Sequence, residues 1–333
     1  MKRDNAPEVY KELLATQWYD AERLHALRTR RLKHVLVEAA TNVPYYREAM
    51  ARMGVDPSRE DPWKILPALP IVDKALYRTL ESSLRSDRPR RTPLVGHSSG
   101  TTGTRLEVFV DRDAATYRYL AGYRGRSWWG IEQGDSELKI WGSGFRTART
   151  NRERLQAVLK EAKEWSIGVT LVSPFFQSSE DLDRATRTLF KTRPKTVFGY
   201  ANSVFMLASH MVRTGRRAGS GWPKAVFYTA EMLTERQRGV VEDAFGAPVV
   251  AEYGSVEAGV MACMCPKGSL HTSDDISVIE IVDKDRSVEA GQTGEVVVTS
   301  LMGTEYPLIR YRQGDIASIG TTPCSCGRTL GTL

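Results

Sequence analysis

Thr196-Val197-Phe198-Gly199-Tyr200, a helical run to about Thr214, Ala225-Val226-Phe227-Tyr228-Thr229 and a second helical run over Thr234–Phe245 decide the fold class. Short strands alternating with helices of this length predict a mostly parallel sheet covered by helices. Towards the N-terminus the alternation continues through a strand and helix at roughly 168–190, a helix at 150–165, a strand at Glu137–Trp141 and a helix at about 112–129. A strand at Leu106–Val110 precedes them.

The ends of the chain read differently. Residues 8–40 place Leu13, Leu14, Leu24, Leu27, Leu32, Val35 and Leu36 at three- and four-residue steps between charges, which predicts a helix. Asn42-Val43-Pro44-Tyr45-Tyr46 interrupts it and a short helix follows to about Met53. Pro62, Pro67 and Pro70 mark a connector before another helix near 72–85. Beyond about 247 the helices stop. Pro248–Tyr253, Val278–Val282, Glu295–Ser300, Leu308–Tyr311 and Ile316–Ile319 read as short strands with glycine-rich turns. The expected organisation is a helical region (1–90), an α/β core (91–246) and a small β-rich subdomain (247–333).

The 333 residues are 41% apolar, enough for a sizeable core. No window approaches the ~18 consecutive apolar residues of a membrane span. The polar start Met1-Lys2-Arg3-Asp4-Asn5 is unlike a secretory signal, so a cytoplasmic protein with no membrane association is expected. The net charge of +7 comes largely from separate clusters: Arg28 to Lys33, Arg85 to Arg91 and Arg213 to Arg217. Nucleic-acid binding asks for such charges on one face with aromatics between them, so solvated surface is the expected reading. A mild positive field still suits an anionic nucleotide.

Gly96-His97-Ser98-Ser99-Gly100-Thr101-Thr102-Gly103-Thr104-Arg105 carries the first chemical signal. Gly96-His97-Ser98-Ser99-Gly100 fits the G-x-S-x-G elbow of a serine hydrolase. That elbow needs a helix directly after the serine and a late histidine, whereas a strand follows here and only His210 and His271 come later. A Walker A loop needs Gly-Lys-Ser/Thr before a helix, and this segment has neither. The third reading is a hydroxyl-rich loop wrapping a polyphosphate, with glycines admitting close backbone approach. A plain surface loop has the same composition.

The four cysteines sit in two close pairs, Cys263-x-Cys265 and Cys324-x-Cys326. In a cytosolic chain such pairs suggest metal before disulfide. Cys265, His271, Cys324 and Cys326 supply the three thiolates and one imidazole of a closed structural zinc site, with Cys263 spare. Reduced cysteines packing without metal are the alternative.

The ordered set of motifs resembles the adenylate-forming superfamily of acyl-CoA synthetases. Ser98–Gly103 looks like its phosphate loop and Tyr228-Thr229-Ala230-Glu231-Met232 like its adenine-contacting segment. Glu252-Tyr253-Gly254-Ser255-Val256-Glu257 resembles Tyr-Gly-x-x-Glu, and Tyr311-Arg312-Gln313-Gly314-Asp315 resembles Tyr-Arg-Thr-Gly-Asp, with Gln313 in place of threonine. Asn42–Tyr46, Trp128-Trp129-Gly130-Ile131, Gly199-Tyr200 and Pro307-Leu308-Ile309-Arg310-Tyr311 are similar to the phenylacetate–CoA ligase/CapK branch. The resemblance covers about residue 20 to the end.

It implies ATP-dependent activation of a carboxylic acid to an acyl-adenylate, followed by transfer to CoA or another acceptor. The implied nucleotide contacts are Ser98, Ser99, Gly100, Thr101, Thr102, Gly103, Ala230, Glu231, Tyr253, Gly254, Ser255 and Asp315, the last on the ribose hydroxyls. Glu257 and Thr101 are the implied catalytic residues, with Glu257 helping to hold Mg²⁺. Trp141, Phe145 and Tyr200 lie where the branch builds its acyl pocket, and an aromatic acid suits them. Cys265 rather than Cys263 matches the family's spacing to His271. A homodimer stays open. The chain corresponds to the large N-terminal lobe of the family. The mobile C-terminal lobe of about 100 residues, with its adenylation lysine, is expected to be absent, and binding of ATP or adenylate without full thioester formation is the expectation. A non-catalytic scaffold stabilised by zinc is the other alternative.

Overall fold

The computed structural model describes residues 5–97, 106–142, 159, 162 and 164–333. The chain divides into two compact units: Met1–Arg124 with Gly254–Cys263 and Lys267–Leu333, and Gly125–Tyr253 with Met264–Pro266. Among the described residues no helix is long and apolar enough to cross a membrane.

The first unit opens with α1 (Ala6–Thr16) and α2 (Ala21–Asn42), where the periodicity predicted one helix. Asp20 makes the break: its carboxylate accepts the Arg23 N–H and caps a new helix. The short helices α3 (Pro44–Met53), α4 (Pro62–Ile65) and α5 (Lys74–Thr79) follow. The last is much shorter than the 72–85 expected. Next come an antiparallel pair, β1 (Leu94–His97) and β2 (Glu107–Val110), and then α6 (Arg112–Ser127). Val9 and Leu13 of α1 pack on Leu120 and Ala121 of α6 and on Ile276. Beside this cluster Arg124, 1% exposed, pairs with the fully buried Asp275 at 2.6 Å.

The second unit holds β3 (Glu137–Ile140), β4 (Val169–Val172), β5 (Thr196–Tyr200), β6 (Ala225–Thr229) and β7 (Val249–Ser255). They run parallel in the order β4-β3-β5-β6-β7. The connecting helices are α7 (Ser179–Thr192), α8 (Ala201–Arg213) and α9 (Glu235–Phe245), the last closed by the Thr234/Gln237 capping box. Leu138, Ile140, Val197, Val226 and Val249 pack against Leu189, Val204, Leu207, Met211 and Phe245 of these helices. Side chains alternate along a strand, so Glu137, Lys139, Phe198, Phe227 and Glu252 share the other face. The guanidinium of Arg126 lies over Phe198 and Phe227 there, at 4.5 and 5.7 Å. The helix expected at 150–165 falls mostly outside the described residues.

The first unit resumes with β8 (Gly259–Met264), β9 (Leu270–Thr272), β10 (Ser277–Asp283), β11 (Arg286–Ser287), β12 (Thr293–Ser300) and β13 (Tyr311–Ser318). Strands β10 to β13 form an antiparallel sheet in the order β11-β10-β12-β13. The two strands expected at Leu308–Tyr311 and Ile316–Ile319 are one strand with a bulge. Arg312 faces Val297 and Ile316 faces Glu295, so Gln313-Gly314-Asp315 oppose Val296 alone. The turn-like Gln-Gly-Asp hid this continuity.

Two motifs of the branch meet at the lead-in to β13. The buried Tyr46 donates from its hydroxyl to the Ile309 carbonyl at 3.2 Å. Arg310, also buried, pairs with Glu280 at 3.1 Å and donates to the carbonyls of Pro67 and Leu69 at 2.8 and 2.7 Å. The connector rich in proline is thereby tied to the strand carrying Tyr311 and Asp315.

Candidate nucleotide and acid site

Parallel strands bring their carboxyl ends to one edge, where open α/β sheets bind ligands. In the second unit that edge collects Trp141, Tyr200, Ala230, Glu231 and Tyr253 from the ends of β3, β5, β6 and β7. The Trp141 ring stacks on Tyr200 with centroids 4.3 Å apart and on Phe198 at 5.4 Å. Half-burial on this platform pushes the Tyr200 hydroxyl above the usual tyrosine range. Phe145, the third acyl-pocket candidate, lies outside the described residues.

Ala230 is exposed with φ +73°, a left-handed conformation that costs an alanine on the order of 1 kcal/mol or more. Such a turn presents its backbone outward at the end of β6. Behind Tyr253, Glu252 is buried beside Arg126, whose Nε is 3.9 Å from it; Arg126 also pairs with Glu137. Burial raises the Glu252 pKa against the opposing pull of Arg126, and the Glu137 charge adds to the rise.

In the first unit the loop Ser98–Gly103 lies outside the described residues, but both strands that carry it are defined. A Cβ at Gly96 would come within 2.9 Å of Val256 Cγ1, so the base of the loop packs on the Ser255–Glu257 turn. The Ser255 hydroxyl accepts the Ala258 N–H at 3.0 Å and fixes that turn. Gly254 runs so close to Gly259 that a Cβ would sit 2.6 Å from its carbonyl oxygen. Glu257 is 8% exposed, and the ring of the buried Tyr311 meets Tyr77 edge-on at 6.0 Å. Burial brings the Arg118 guanidinium down to about 10, against the opposing charges of Asp111, Tyr77 and Glu257, so it is cationic at neutral pH. Asp315 is exposed in the β13 bulge.

His271, Cys324 and Cys326, all in the first unit, offer ligand atoms within 4.8 Å of one another. His271 Nδ1 is 2.9 Å from the Leu330 carbonyl, which can only accept, so this nitrogen carries the proton. The Nε2 lone pair of the neutral ring then faces Cys326 Sγ at 3.2 Å. A histidine oriented by a carbonyl behind it is the usual support of a metal ligand. Burial pushes the Cys324 thiol up, but hydrogen bonds from Ser269 and the Cys326 N–H outweigh it and bring it to about 6. It is therefore largely thiolate at neutral pH, the form a metal requires. This donor set fits zinc. Cys265 is fully buried and falls in Met264–Pro266 of the second unit, and Cys263 is also buried. Arg328 stacks on Trp18 at 4.7 Å and donates to Gln17 at 3.0 Å, which ties down the chain between the cysteine pair and its end.

Of the histidines weighed for a hydrolase, His210 is buried in α8 with Asp183 at 2.9 Å, and His271 belongs to the cysteine group. Sequence reasoning missed the burial of Arg118, the burial of Glu257 and the Arg126–Glu137–Glu252 group. All three come from residue types that ordinarily face solvent, and no local pattern marks them as buried.

No family model matches the chain. Among curated proteins it is 27% identical over 316 residues to a phenylacetate–coenzyme A ligase of Thermus thermophilus, covering 92% of this chain and 68% of that protein. It is 30% identical over 145 residues to the protein CapK of Staphylococcus aureus, covering 44% and 31%. Among solved structures it superposes on a 2-hydroxyisobutyryl-CoA ligase in complex with its acyl-adenylate and CoA, with a TM-score of 0.72 at 21% identity. That superposition covers 94% of this chain and 74% of the other and carries the fold. The α/β architecture and the ordered motifs define an adenylate-forming enzyme of the acid–CoA ligase type. Its curated relatives are phenylacetate–coenzyme A ligases and the protein CapK, so within that superfamily the chain is similar to their branch.

Proposed function

We propose that the chain binds ATP with Mg²⁺ and activates a carboxylic acid to an acyl-adenylate, for later transfer to CoA. The observation that carries this is the packing of the phosphate-loop base on the Glu257 turn, with Gly96 against Val256. It sets the buried Glu257 turn against the strand end that leads into the loop. A carboxylate with phosphate oxygens suits Mg²⁺, a hard cation that keeps much of its water. Activation needs the acid's oxygen aligned on the α-phosphorus while pyrophosphate leaves, so positioning and charge neutralisation dominate.

In this reading Ser98, Ser99, Thr101 and Thr102 grip the β- and γ-phosphates, and Ala230, Glu231 and Tyr253 line the adenine site. Asp315 binds the ribose hydroxyls from its bulge. The stacked Trp141 and Tyr200 support an aromatic acid. The names of the ligase relatives, which include 2-hydroxyisobutyryl-CoA ligase, leave the acid to experiment. The test is calorimetric titration with ATP·Mg²⁺ and with a non-hydrolysable acyl-adenylate analogue, followed by pyrophosphate exchange across aryl, indolyl and short aliphatic acids. Saturable heat with a preference for aryl acids is expected. No heat with either ligand would sink the reading.

We further propose that the cysteine group holds a structural zinc, with His271, Cys324 and Cys326 of the first unit among its ligands. Support comes from the thiolate character of Cys324 and the orientation of His271. Four protein ligands would leave no open position for catalysis. The purified protein is expected to carry about one zinc per chain by elemental mass spectrometry, and Cys324→Ser to lose most of it. Parent protein free of zinc after growth in zinc-replete medium would refute this.

A further inference from the structure

Side-chain alternation puts Glu137, Lys139 and Trp141 on the same sheet face as Phe198 and Tyr200, with Lys139 standing opposite Phe198. The helices α7, α8 and α9 cover the other face, where Leu138 and Ile140 point. Two acids on the Lys139 face already share one arginine. Arg126 pairs with Glu137 and has its Nε 3.9 Å from Glu252. Lys139 has no such partner: among the described residues it makes no hydrogen bond and no ion pair within 4 Å. Its Nζ lies over two rings instead, 5.4 Å from the centroid of Trp141 and 5.6 Å from that of Phe198. Ring faces attract a cation but give its N–H groups no oxygen to bond. Lys139 is half-buried, so the rings replace part of its water without replacing the hydrogen bonds that water supplied.

Position along the strand decides which end of a ligand meets this ammonium. Parallel strands hold their ligand at the carboxyl edge. Trp141 stands at that edge, just past β3, with its N–H donating to the Val172 carbonyl at 2.9 Å and its ring 4.3 Å from Tyr200. Lys139 is two residues back, roughly 6–7 Å deeper at the ordinary strand rise. An aryl acid lying on the platform with its reacting carboxylate at the edge turns the far side of its ring towards Lys139. An anionic group there gains a charge partner and hydrogen bonds together, whereas a bare ring leaves the ammonium covered and unpaired.

We propose that Lys139 is a specificity-determining residue whose ammonium binds a second anionic group on the acid, so that the substrate class is an aryl acid with another carboxylate at the end of the ring remote from the reacting one. This rests on the reading of Trp141 and Tyr200 as the platform for the acid.

The experiment titrates the protein with two sulfamoyl-adenosine analogues of acyl-adenylates, one built on benzoic acid and one on terephthalic acid, whose second carboxylate is para. By calorimetry the parent should bind the terephthaloyl analogue about tenfold tighter, the scale of a hydrogen bond between charged groups. Lys139→Met keeps an aliphatic stem over the rings and removes the charge. It should bring the two affinities together without weakening the benzoyl analogue, and Lys139→Arg should restore most of the preference. A parent that binds both alike, or a Lys139→Met variant that keeps the preference, would overturn the proposal. Trp141→Ala tests the platform separately and should weaken both analogues. If it weakens neither, the platform reading falls and the proposal with it; if it weakens both while Lys139→Met keeps the preference, only the role of Lys139 falls. Urea unfolding supplies the structural control. A lowered midpoint in Lys139→Met with the preference intact would make Lys139 a charge that balances the buried Glu252, and would overturn its part in specificity.

Discussion

Glu257→Gln is expected to lower ATP–pyrophosphate exchange by about 100-fold or more, the scale of removing one preorganised electrostatic contact from a reacting centre. Glutamine keeps the volume, so the turn at Ser255 and the packing of Val256 on Gly96 should persist. What disappears is the charge. The loss should appear in kcat and in the Mg²⁺ dependence more than in the affinity for metal-free ATP. Exchange within a few-fold of the parent would remove Glu257 from the reaction and favour a scaffold that has kept the fold without its chemistry. The control is a far-ultraviolet dichroism spectrum unchanged from the parent.

The second large effect is on stability. Asp275→Ala should destabilise the protein by about 3–5 kcal/mol, because it strands the buried guanidinium of Arg124 without its partner. The carboxylate also receives the Thr16 hydroxyl at 2.5 Å, and Arg31 donates to the Asp275 carbonyl at 2.5 Å. One aspartate therefore joins α1, α2 and α6 to the segment before β10. Replacing both partners together, as Arg124→Met with Asp275→Leu, should cost less than the single change, since no unpaired charge is left inside. Urea unfolding checks both variants. A single-variant loss under about 1 kcal/mol would show that water reaches the pair.

Much of the fold was legible because its signals are local. The strand segments Thr196–Tyr200 and Ala225–Thr229 and the helix entered through Thr234 match the structure, since each is bounded by its own turn or cap. Failures came where a local signal competes with a distant one. Asp20 divides a continuous apolar period, and Gln313-Gly314-Asp315 resembles a turn although β12 pairs on both sides of it. Strand β1 carries too little apolar pattern to declare itself without β2 beside it.

Sequence alone supplied the resemblance to the superfamily and its branch and the α/β class, and it nominated the candidate nucleotide and zinc residues. It could do so because ordered motifs report chemistry that residue types and spacing already constrain. Only the tertiary structure decided that Glu257 is buried, that Arg124 and Asp275 join distant helices, and that His271 faces Cys326. Arg124 and Asp275 are 151 positions apart, and Arg310 and Glu280 are 30 apart. Pairings over such separations are set by which surfaces pack, and the same arginine or tyrosine in a chain can face water or a buried carboxylate. Burial and the partner it supplies turn those side chains into positioned groups, and both are properties of the packed molecule.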